Sequence, residues 1–148
     1  MSSILLLSGP NLNLLGEREP LIYGSDVLAD HVATATRRAE VVGVEVEHLQ
    51  SNHEGDLVDA VHRARGVHDA VVVNAGAVTH YGWSLHDALA AFDGPVVELH
   101  LSNPVAREAW RHTSVVSPVA DVVIQGAGGL GYRLAVDAAL GLLGLDLP

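Results

Sequence analysis

The sequence predicts a single α/β domain in which a parallel β-sheet is covered by helices on both faces. The chain has 148 residues, the usual length of one domain. Hydrophobic residues make up 49% of the chain and charged residues 18%, against roughly 25% charged in an average globular protein, so the composition suits a large core. Short apolar runs alternate along the chain with longer stretches of helical spacing. We therefore expect one domain over residues 1–148.

The apolar runs predict five strands, and the stretches between them predict helices. The predicted strands cover residues 4–8, 44–50, 70–74, 96–100 and 121–125. The predicted helices cover residues 26–42, 54–65, 84–92 and 132–143. Asn103 followed by Pro104 indicates the start of a shorter helix after the fourth strand. Gly43, Gly66 and Gly94 are expected to end helices in the left-handed conformation.

Regular alternation of strand and helix favours an all-parallel sheet between two helical layers. For five strands we expect a flavodoxin-like, three-layer sandwich with strand order 2-1-3-4-5. Residues 9–25 form one long irregular segment, and loops of that length are uncommon unless they are functional, so residues 16–25 are predicted to form a lid. Ligands bind beyond the carboxyl ends of the strands in such folds, where segments 9–25, 74–81 and 100–111 should meet.

Composition excludes several kinds of chemistry. There is no cysteine, and all eight basic residues are arginine, which excludes thiolate nucleophiles, disulfides, lysine Schiff bases and the P-loop lysine. The formal charge of −10 argues against binding to nucleic acid or anionic membranes. The apolar runs are shorter than the roughly 20 residues of a membrane span, and no basic signal region opens the chain, so we expect a cytoplasmic protein.

Glu98 and His100 are two residues apart on the fourth predicted strand, so their side chains share one face. A buried carboxylate needs a partner, and His100 is the nearest candidate. The carboxylate would fix the imidazole tautomer and favour the imidazolium, a general acid. The alternative is a structural ion pair, which these two residues taken alone favour.

Arg18 and Tyr23 lie in the long loop, between Gly16 and Gly24. An ordinary phenol is a poor base near neutral pH, but a guanidinium against its oxygen favours the phenolate. The pair could therefore supply a general base on a closing lid. The alternative, favoured when the pair is considered alone, is a surface arginine beside a tyrosine that anchors the loop.

The segment after the fourth strand carries groups suited to an anion. The backbone amides at Ser102 and Asn103 begin a helix and could bind a carboxylate, or they could simply be capped. Arg107 and Arg111 are spaced i, i+4 and could bind an anionic or polyhydroxyl substrate from one helical face, or form a solvated stripe.

Other polar residues follow the first and third strands. Asn11 and Asn74 could bind a ligand or close their own turns, and His80 lies in the loop after strand three. Asp87 follows Ser84 by three residues, which is typical of a capping box. No pair among the nine histidines has the spacing of a zinc site, so no metal site is predicted.

A glycine pattern at residues 126–131 matches G-x-G-x-x-G and follows the last strand. Too little chain remains after it for the acidic residue on a further strand that a dinucleotide site requires. We interpret it as tight packing of a strand against a helix.

Taken together, the loop segments resemble the type II 3-dehydroquinate dehydratases. The matching motifs are GPNLNLLGERE at residues 9–19 with Tyr23-Gly24, SNHEG at 51–55, NAGA at 74–77 with Thr79-His80, and ELHLSN at 98–103 with Arg107, Glu108 and Arg111. The resemblance extends from strand one through Tyr132, nearly the whole chain.

The resemblance implies reversible anti dehydration of 3-dehydroquinate to 3-dehydroshikimate through an enolate, without metal or organic cofactor. Tyr23 would remove the C2 proton while Arg18 keeps it ionised, and Asn11 would hold a water that stabilises the enolate. His100, oriented by Glu98, would protonate the departing C1 hydroxyl. Such an enzyme serves the shikimate pathway or quinate catabolism.

The resemblance also implies the substrate contacts and the assembly. Asn74 and the backbone amides of Leu101 and Ser102 would bind the substrate carboxylate. The ring hydroxyls would be bound by His80, Asp87 and Arg111, with Arg107 also near the substrate. Asp87 would reach in from a neighbouring subunit, because the family forms dodecamers of four trimers.

Two alternatives come from other classes. A receiver module needs an aspartate at the end of strand three and a lysine at the end of strand five, whereas this chain has Asn74 and no lysine. A flavin module needs hydroxyls in the phosphate loop after strand one, and residues 9–16 contain no Ser or Thr. A lyase for another cyclic hydroxy acid would use the same acid and base, and fold alone does not separate it.

Overall fold

A computed structural model describes residues 2–145 and 147–148. It contains the predicted all-parallel sheet of five strands in the order β2-β1-β3-β4-β5. The strands are β1 (Ser3–Ser8), β2 (Glu45–Gln50), β3 (Ala70–Asn74), β4 (Val96–His100) and β5 (Val122–Gln125). Strand order reverses between β1 and β3, so the switch point where ligands bind in such folds lies at the carboxyl ends of these strands.

Five α-helices accompany the sheet within the described part of the chain. They are α1 (Pro20–Tyr23), α2 (Leu28–Glu40), α3 (Glu54–Ala64), α4 (Trp83–Ala90) and α5 (Leu130–Leu142). The helix expected after β4 is only a 3-10 turn, Pro104–Ala106. Asn103 caps this turn, because its Oδ1 accepts a hydrogen bond from the backbone amide of Val105 at 3.2 Å. None of the helices in the described residues is long and apolar enough to cross a bilayer.

The core has two halves, one on each face of the sheet. Successive strand side chains point to opposite faces, so Ile4 and Leu6 pack with α2 and α5 while Leu5 and Leu7 pack with α3 and α4. All residues of β3 and β4 are buried, but β2 and β5 are edge strands whose burial alternates. The centre of the sheet is therefore a rigid platform for the residues that follow β1, β3 and β4.

Two of the three predicted helix-ending glycines adopt the expected conformation. Gly43 and Gly66 have φ of 74° and 73°, in the left-handed region. The expectation for Gly94 is wrong: its φ is not positive. A Cβ at Gly94 would lie 2.2 Å from the carbonyl oxygen of Asp69, so glycine is needed there for a close backbone approach.

The long segment after β1 contains more regular structure than predicted. Residues Leu12–Leu14 form a 3-10 turn, and α1 makes one helical turn with Pro20 in its first position. Four residues are too few to show helical periodicity, which is why α1 escaped prediction. The turn places Tyr23 at its carboxyl end, between Gly16 and Gly24, whose φ values are 92° and 85°.

The glycine pattern at residues 126–131 covers the turn between β5 and α5 and the first two residues of α5, as the packing interpretation requires. A Cβ at Gly131 would be 2.8 Å from Leu99 Cδ1, so the glycine lets α5 approach the sheet closely. The same helix carries Tyr132, whose side chain is fully buried.

Candidate active site

A pocket opens at the carboxyl edge of the sheet, at the switch point. Its walls come from the three segments that were predicted to meet there. It is lined by all the predicted site residues except Glu98 and Asp87: Asn11, Arg18, Tyr23, Asn74, His80, His100, Leu101, Ser102, Arg107 and Arg111. The convergence expected from the sequence is therefore present in one cleft.

Glu98 and His100 form a buried pair on β4. His100 Nε2 lies 2.6 Å from Glu98 Oε2, and their exposures are 7% and 2%. An ionised carboxylate only accepts hydrogen bonds, so Nε2 carries the proton and the tautomer is fixed. His100 lines the pocket while Glu98 lies behind it, as the shared strand face predicts.

Two serines that the sequence reasoning missed complete the environment of Glu98. Ser114 Oγ donates to Oε2 at 3.0 Å, and Ser117 Oγ donates to Oε1. Burial alone would raise the pKa of Glu98, but the hydrogen bonds from His100, Ser117 and Ser114 outweigh it and hold that pKa below its ordinary value. The serines lie in an irregular segment between β4 and β5, where no periodicity points to them.

Tyr23 meets a guanidinium, but not the one that was predicted to touch its oxygen. Arg107 Nη1 donates to Tyr23 Oη at 2.6 Å and lies 3.4 Å from Ser102 Oγ. The Arg18 guanidinium lies over the face of the Tyr23 ring, with its carbon 5.1 Å from the ring centroid, and pairs with Glu19 at 3.4 Å. Arg18 lies two residues before α1, the helix that carries Tyr23. Arg107 reaches Tyr23 from the segment that follows β4. The phenol is thus held between two positive charges.

Arg107 and Arg111 do not share one helical face as predicted. Arg107 has extended backbone and directly follows the 3-10 turn Pro104–Ala106. Arg111 belongs to the next 3-10 turn, Ala109–His112. The chain breaks between the two turns because Arg107 and Glu108 are not helical. Arg111 Nε donates to Glu108 at 2.6 Å, and its guanidinium lies over the Trp110 ring at 4.0 Å.

Asn74 is oriented by its neighbours at the end of β3. Its Oδ1 accepts from the amide of Gly76 at 3.4 Å, and its Nδ2 donates to Tyr132 Oη at 3.5 Å. Burial raises the pKa of Tyr132 to about 12, so its hydroxyl stays protonated and available. Tyr132 also stacks on His31, with ring centroids 4.9 Å apart. The sequence indicated Asn74 but not the tyrosine that holds it.

Asn11 and His80 also lie on the pocket wall. Asn11 has a left-handed φ of 69°, and its backbone amide donates to Asn52 Oδ1 at 3.0 Å. His80 Nδ1 donates to the carbonyl of Thr113 at 2.7 Å. Burial lowers the pKa of His80, and the Thr113 contact only partly opposes this. His80 is therefore held neutral and oriented beside His100.

Asp87 lies on an exposed position of α4, away from the pocket of its own chain. The predicted capping box with Ser84 is wrong. The cap residue of α4 is Gly82, and Ser84 Oγ donates instead to Glu54, which projects from α3. The helix begins one residue earlier than predicted, which moves Ser84 out of the capping position.

Residues 2–145 and 147–148 contain no group of three or more His, Asp or Glu side chains placed to hold a metal ion.

Fold and site together define an α/β enzyme with a candidate acid and a candidate base facing one cleft at the carboxyl edge of a flavodoxin-like sheet. The chain belongs to the class II dehydroquinase family, whose model matches residues 2–140. A 3-dehydroquinate dehydratase of Corynebacterium glutamicum (strain R) is 58% identical over 137 residues, 93% of this chain and 94% of the relative. The family resemblance and the enzyme class inferred from the sequence are confirmed.

Other relatives agree. A catabolic 3-dehydroquinase of Aspergillus clavatus is 53% identical over 135 residues, 91% of this chain and 90% of the relative. The crystal structure of a type II dehydroquinase from Butyrivibrio crossotus DSM 2876 superposes with a TM-score of 0.90 at 41% identity, covering 93% of this chain and 97% of that one. The fold class is confirmed by this likeness.

Proposed function

We propose that this chain dehydrates 3-dehydroquinate to 3-dehydroshikimate, with Tyr23 as the base and His100 as the acid. One observation carries the proposal: a phenol between two guanidinium groups and a carboxylate-bound imidazole line the same cleft. Anti elimination of water next to a ketone needs a base and an acid on opposite sides of the ring. The names of the relatives support the same substrate.

In the first step the Tyr23 phenolate removes the proton from C2, and the electron pair left on carbon forms the enolate. Arg107 at the phenolic oxygen and Arg18 over the ring favour the phenolate by their positive charge. Arg107 therefore acts on the base, a role beyond the substrate contact first expected of it. Residues 16–25 act as a lid that brings this group to the substrate.

In the second step the enolate electrons form the new carbon–carbon double bond as the C1–oxygen bond breaks. The proton on His100 passes to the departing hydroxyl, which leaves as water. Glu98 stabilises the imidazolium before transfer and orients the ring. Asn11 holds the water that stabilises the enolate oxygen. Solvent then restores the starting protonation of Tyr23 and His100.

The remaining pocket residues bind the substrate. Asn74 and the backbone amides of Leu101 and Ser102 take its carboxylate, since backbone amides at a turn are good anion donors. His80 and Arg111 bind the ring hydroxyls; neutral His80 donates from Nδ1 to the Thr113 carbonyl and so offers Nε2 to the substrate as an acceptor.

The pocket of one chain is completed by a neighbouring subunit in a dodecamer of four trimers. Asp87 is exposed and lies outside its own pocket, and Trp83 and Trp110 are 63% and 53% exposed, as apolar side chains at subunit contacts commonly are in a lone chain. Light scattering of the purified protein measures the assembly, and a monomer with full activity would contradict it.

The reaction is tested by the absorbance of the conjugated enone that forms from 3-dehydroquinate. Tyr23→Phe and His100→Ala should each lower kcat by about 10²–10⁴-fold, the usual contribution of one acid or base, with circular dichroism unchanged. Tyr81→Phe and His62→Ala change exposed residues of the same types and should keep wild-type rates. Wild-type protein that forms no enone from this substrate would contradict the proposed reaction, and an active Tyr23→Phe would remove the proposed base.

A further inference from the structure

We propose that Ser114 and Ser117 are positioning residues for the acid, holding Glu98 so that the proton of the pair stays on His100. This inference rests on the function proposed above. The two hydroxyls act through Glu98, because their hydrogen bonds go to its carboxylate.

The burial of Glu98 creates the need for these donors. Its side chain is 2% exposed, so the protein must supply what water would otherwise give to both carboxylate oxygens. Glu98 Oε2 accepts hydrogen bonds from His100 Nε2 and Ser114 Oγ, and Glu98 Oε1 accepts one from Ser117 Oγ. His100 bonds only to Oε2, so Ser117 is the member of this set that satisfies Glu98 Oε1.

The segment 113–117 is built to present those hydroxyls. Ser114 Oγ accepts from the backbone amides of Val116 at 3.1 Å and Ser117 at 2.9 Å. A hydroxyl has one proton, so that of Ser114 is directed to Glu98. Val115 and Val116 are buried, which fixes the turn against the core. Ser117 begins a 3-10 turn, Ser117–Val119, whose first turn contains Pro118.

The same segment also holds the loop that follows β3. The carbonyls of Thr113 and Val115 accept from the Nδ1 atoms of His80 and His86, each at 2.7 Å. The amide of Val115 donates to the carbonyl of Thr79 at 2.8 Å. One turn thus orients both the proposed acid, through Glu98, and a proposed substrate-binding histidine.

The hydroxyls decide where the shared proton lies. Donors to a carboxylate stabilise its anion, and so keep Glu98 ionised and the proton on the imidazole. Without them the proton shifts toward Glu98, and the neutral imidazole that results cannot protonate a leaving hydroxyl. The other titratable or charged groups that share a cavity with the pair remain in place when Ser117 is changed: Arg18, Tyr23, His80, Arg107, Arg111 and His112.

The sharpest test compares Ser117→Thr with Ser117→Val, which match in shape and differ in the hydroxyl. Ser117→Val should lower kcat about tenfold, in line with losses of partners that orient a catalytic group, with KM nearly unchanged. The alkaline limb of the kcat profile should move to higher pH, because the carboxylate left when the pair loses its proton is less stable. Ser117→Thr should keep the wild-type profile, and Ser117→Ala serves if the valine variant does not fold.

A second readout needs no substrate. The imidazole ¹⁵N signals of His100 should titrate at a higher midpoint in Ser117→Val or Ser117→Ala than in wild type or Ser117→Thr. Ser84→Ala, which removes a hydroxyl bound to Glu54, should change neither readout. An NMR shift in a protein that does not dehydrate 3-dehydroquinate would reject the proposed function and keep the positioning role. Equal midpoints and pH profiles for the valine and threonine variants would overturn the positioning role, whatever the loss of kcat.

Discussion

The proposed acid, His100, and the proposed base, Tyr23, are held in opposite ways. His100 lies on a central strand, and its buried partner Glu98 accepts hydrogen bonds on both oxygens, from His100 and from two half-buried serines. Tyr23 ends a four-residue helix whose other residues are exposed, including Leu21 at 103%. The acid is therefore positioned by the fold itself. The proposed base is positioned by a hydrogen bond that Arg107, in the segment after β4, donates to the Tyr23 oxygen.

This contrast explains why each site group needs a different kind of support. A group on a buried strand is oriented as soon as the sheet forms, and its neighbours only adjust its charge. A group on a short exposed turn keeps one position only while something across the cleft holds it. Substitutions in the proposed lid, residues 16–25, should lower activity with little effect on the free energy of unfolding. Substitutions in the sheet should lower the free energy of unfolding with little effect on activity, unless they change a contact of His100.

The largest difference is expected between the two arginines that contact Tyr23. Arg107→Ala should lower kcat/KM by about 10²-fold, because the phenolic oxygen loses both its hydrogen bond and the nearest positive charge. Arg18→Ala should cost only about fivefold, since a partly exposed cation–π contact contributes about 1 kcal/mol. Steady-state kinetics on both variants, with exposed Arg37→Ala as the control, measure the ratio. A larger loss for Arg18→Ala would mean that the lid arginine, not Arg107, maintains the base.

Glycine substitutions should separate the lid from the sheet. Gly24→Ala places a side chain at φ 85°, with no described atom within 4 Å of the new Cβ, so the cost is conformational strain of about 1–3 kcal/mol in the proposed lid. We expect kcat/KM to fall about fivefold with the melting temperature unchanged. Gly94→Ala forces a Cβ against the Asp69 carbonyl and should lower stability by about 1–3 kcal/mol with kcat retained at low temperature.

Thermal unfolding followed by circular dichroism, together with kinetics at 25 °C, checks both glycine variants. If Gly24→Ala lowered the melting temperature as much as Gly94→Ala, the lid would be part of the cooperative fold and the contrast would be wrong.

The sequence predicted the central strands of the sheet better than the segment of residues 16–25. The bounds of β3 and β4 were predicted correctly, since buried parallel strands are continuous apolar runs with clear ends. The four-residue helix α1 left no periodic signal. The Glu98–His100 pair followed from strand alternation, because two residues on one strand face must be neighbours. The contacts of Arg107, Ser114 and Ser117 join irregular segments whose mutual placement depends on the complete fold.

The free energy of unfolding at low pH should depend on the protonation of Glu98, the partner of the proposed acid. The folded pKa of Glu98 lies below its ordinary value of 4.5, so the unfolded chain binds the proton first as pH falls. The stabilisation is thus complete above about pH 4.5 and is lost as pH falls below it. Glu98→Gln should be less stable than wild type at pH 7, with the difference shrinking below pH 4.5. Urea unfolding across this range measures it, with exposed Glu17→Gln as the control. A difference that stays constant with pH would mean that the carboxylate is not stabilised by its partners.

The smallest effect is expected where the sheet meets the proposed carboxylate site. Tyr132→Phe removes the hydroxyl that accepts from Asn74 Nδ2 at 3.5 Å and keeps the stacked ring on His31. One hydrogen bond contributes about 0.5–1.5 kcal/mol, so KM should rise about threefold while kcat stays within twofold. Because the pKa of Tyr132 is raised to about 12, its hydroxyl is protonated throughout the working range, and the KM ratio should be constant from pH 6 to pH 9. A ratio that varied with pH would place an ionising group, rather than a neutral hydroxyl, beside Asn74. An unchanged KM would show that the backbone amide of Gly76 orients Asn74 without help from Tyr132.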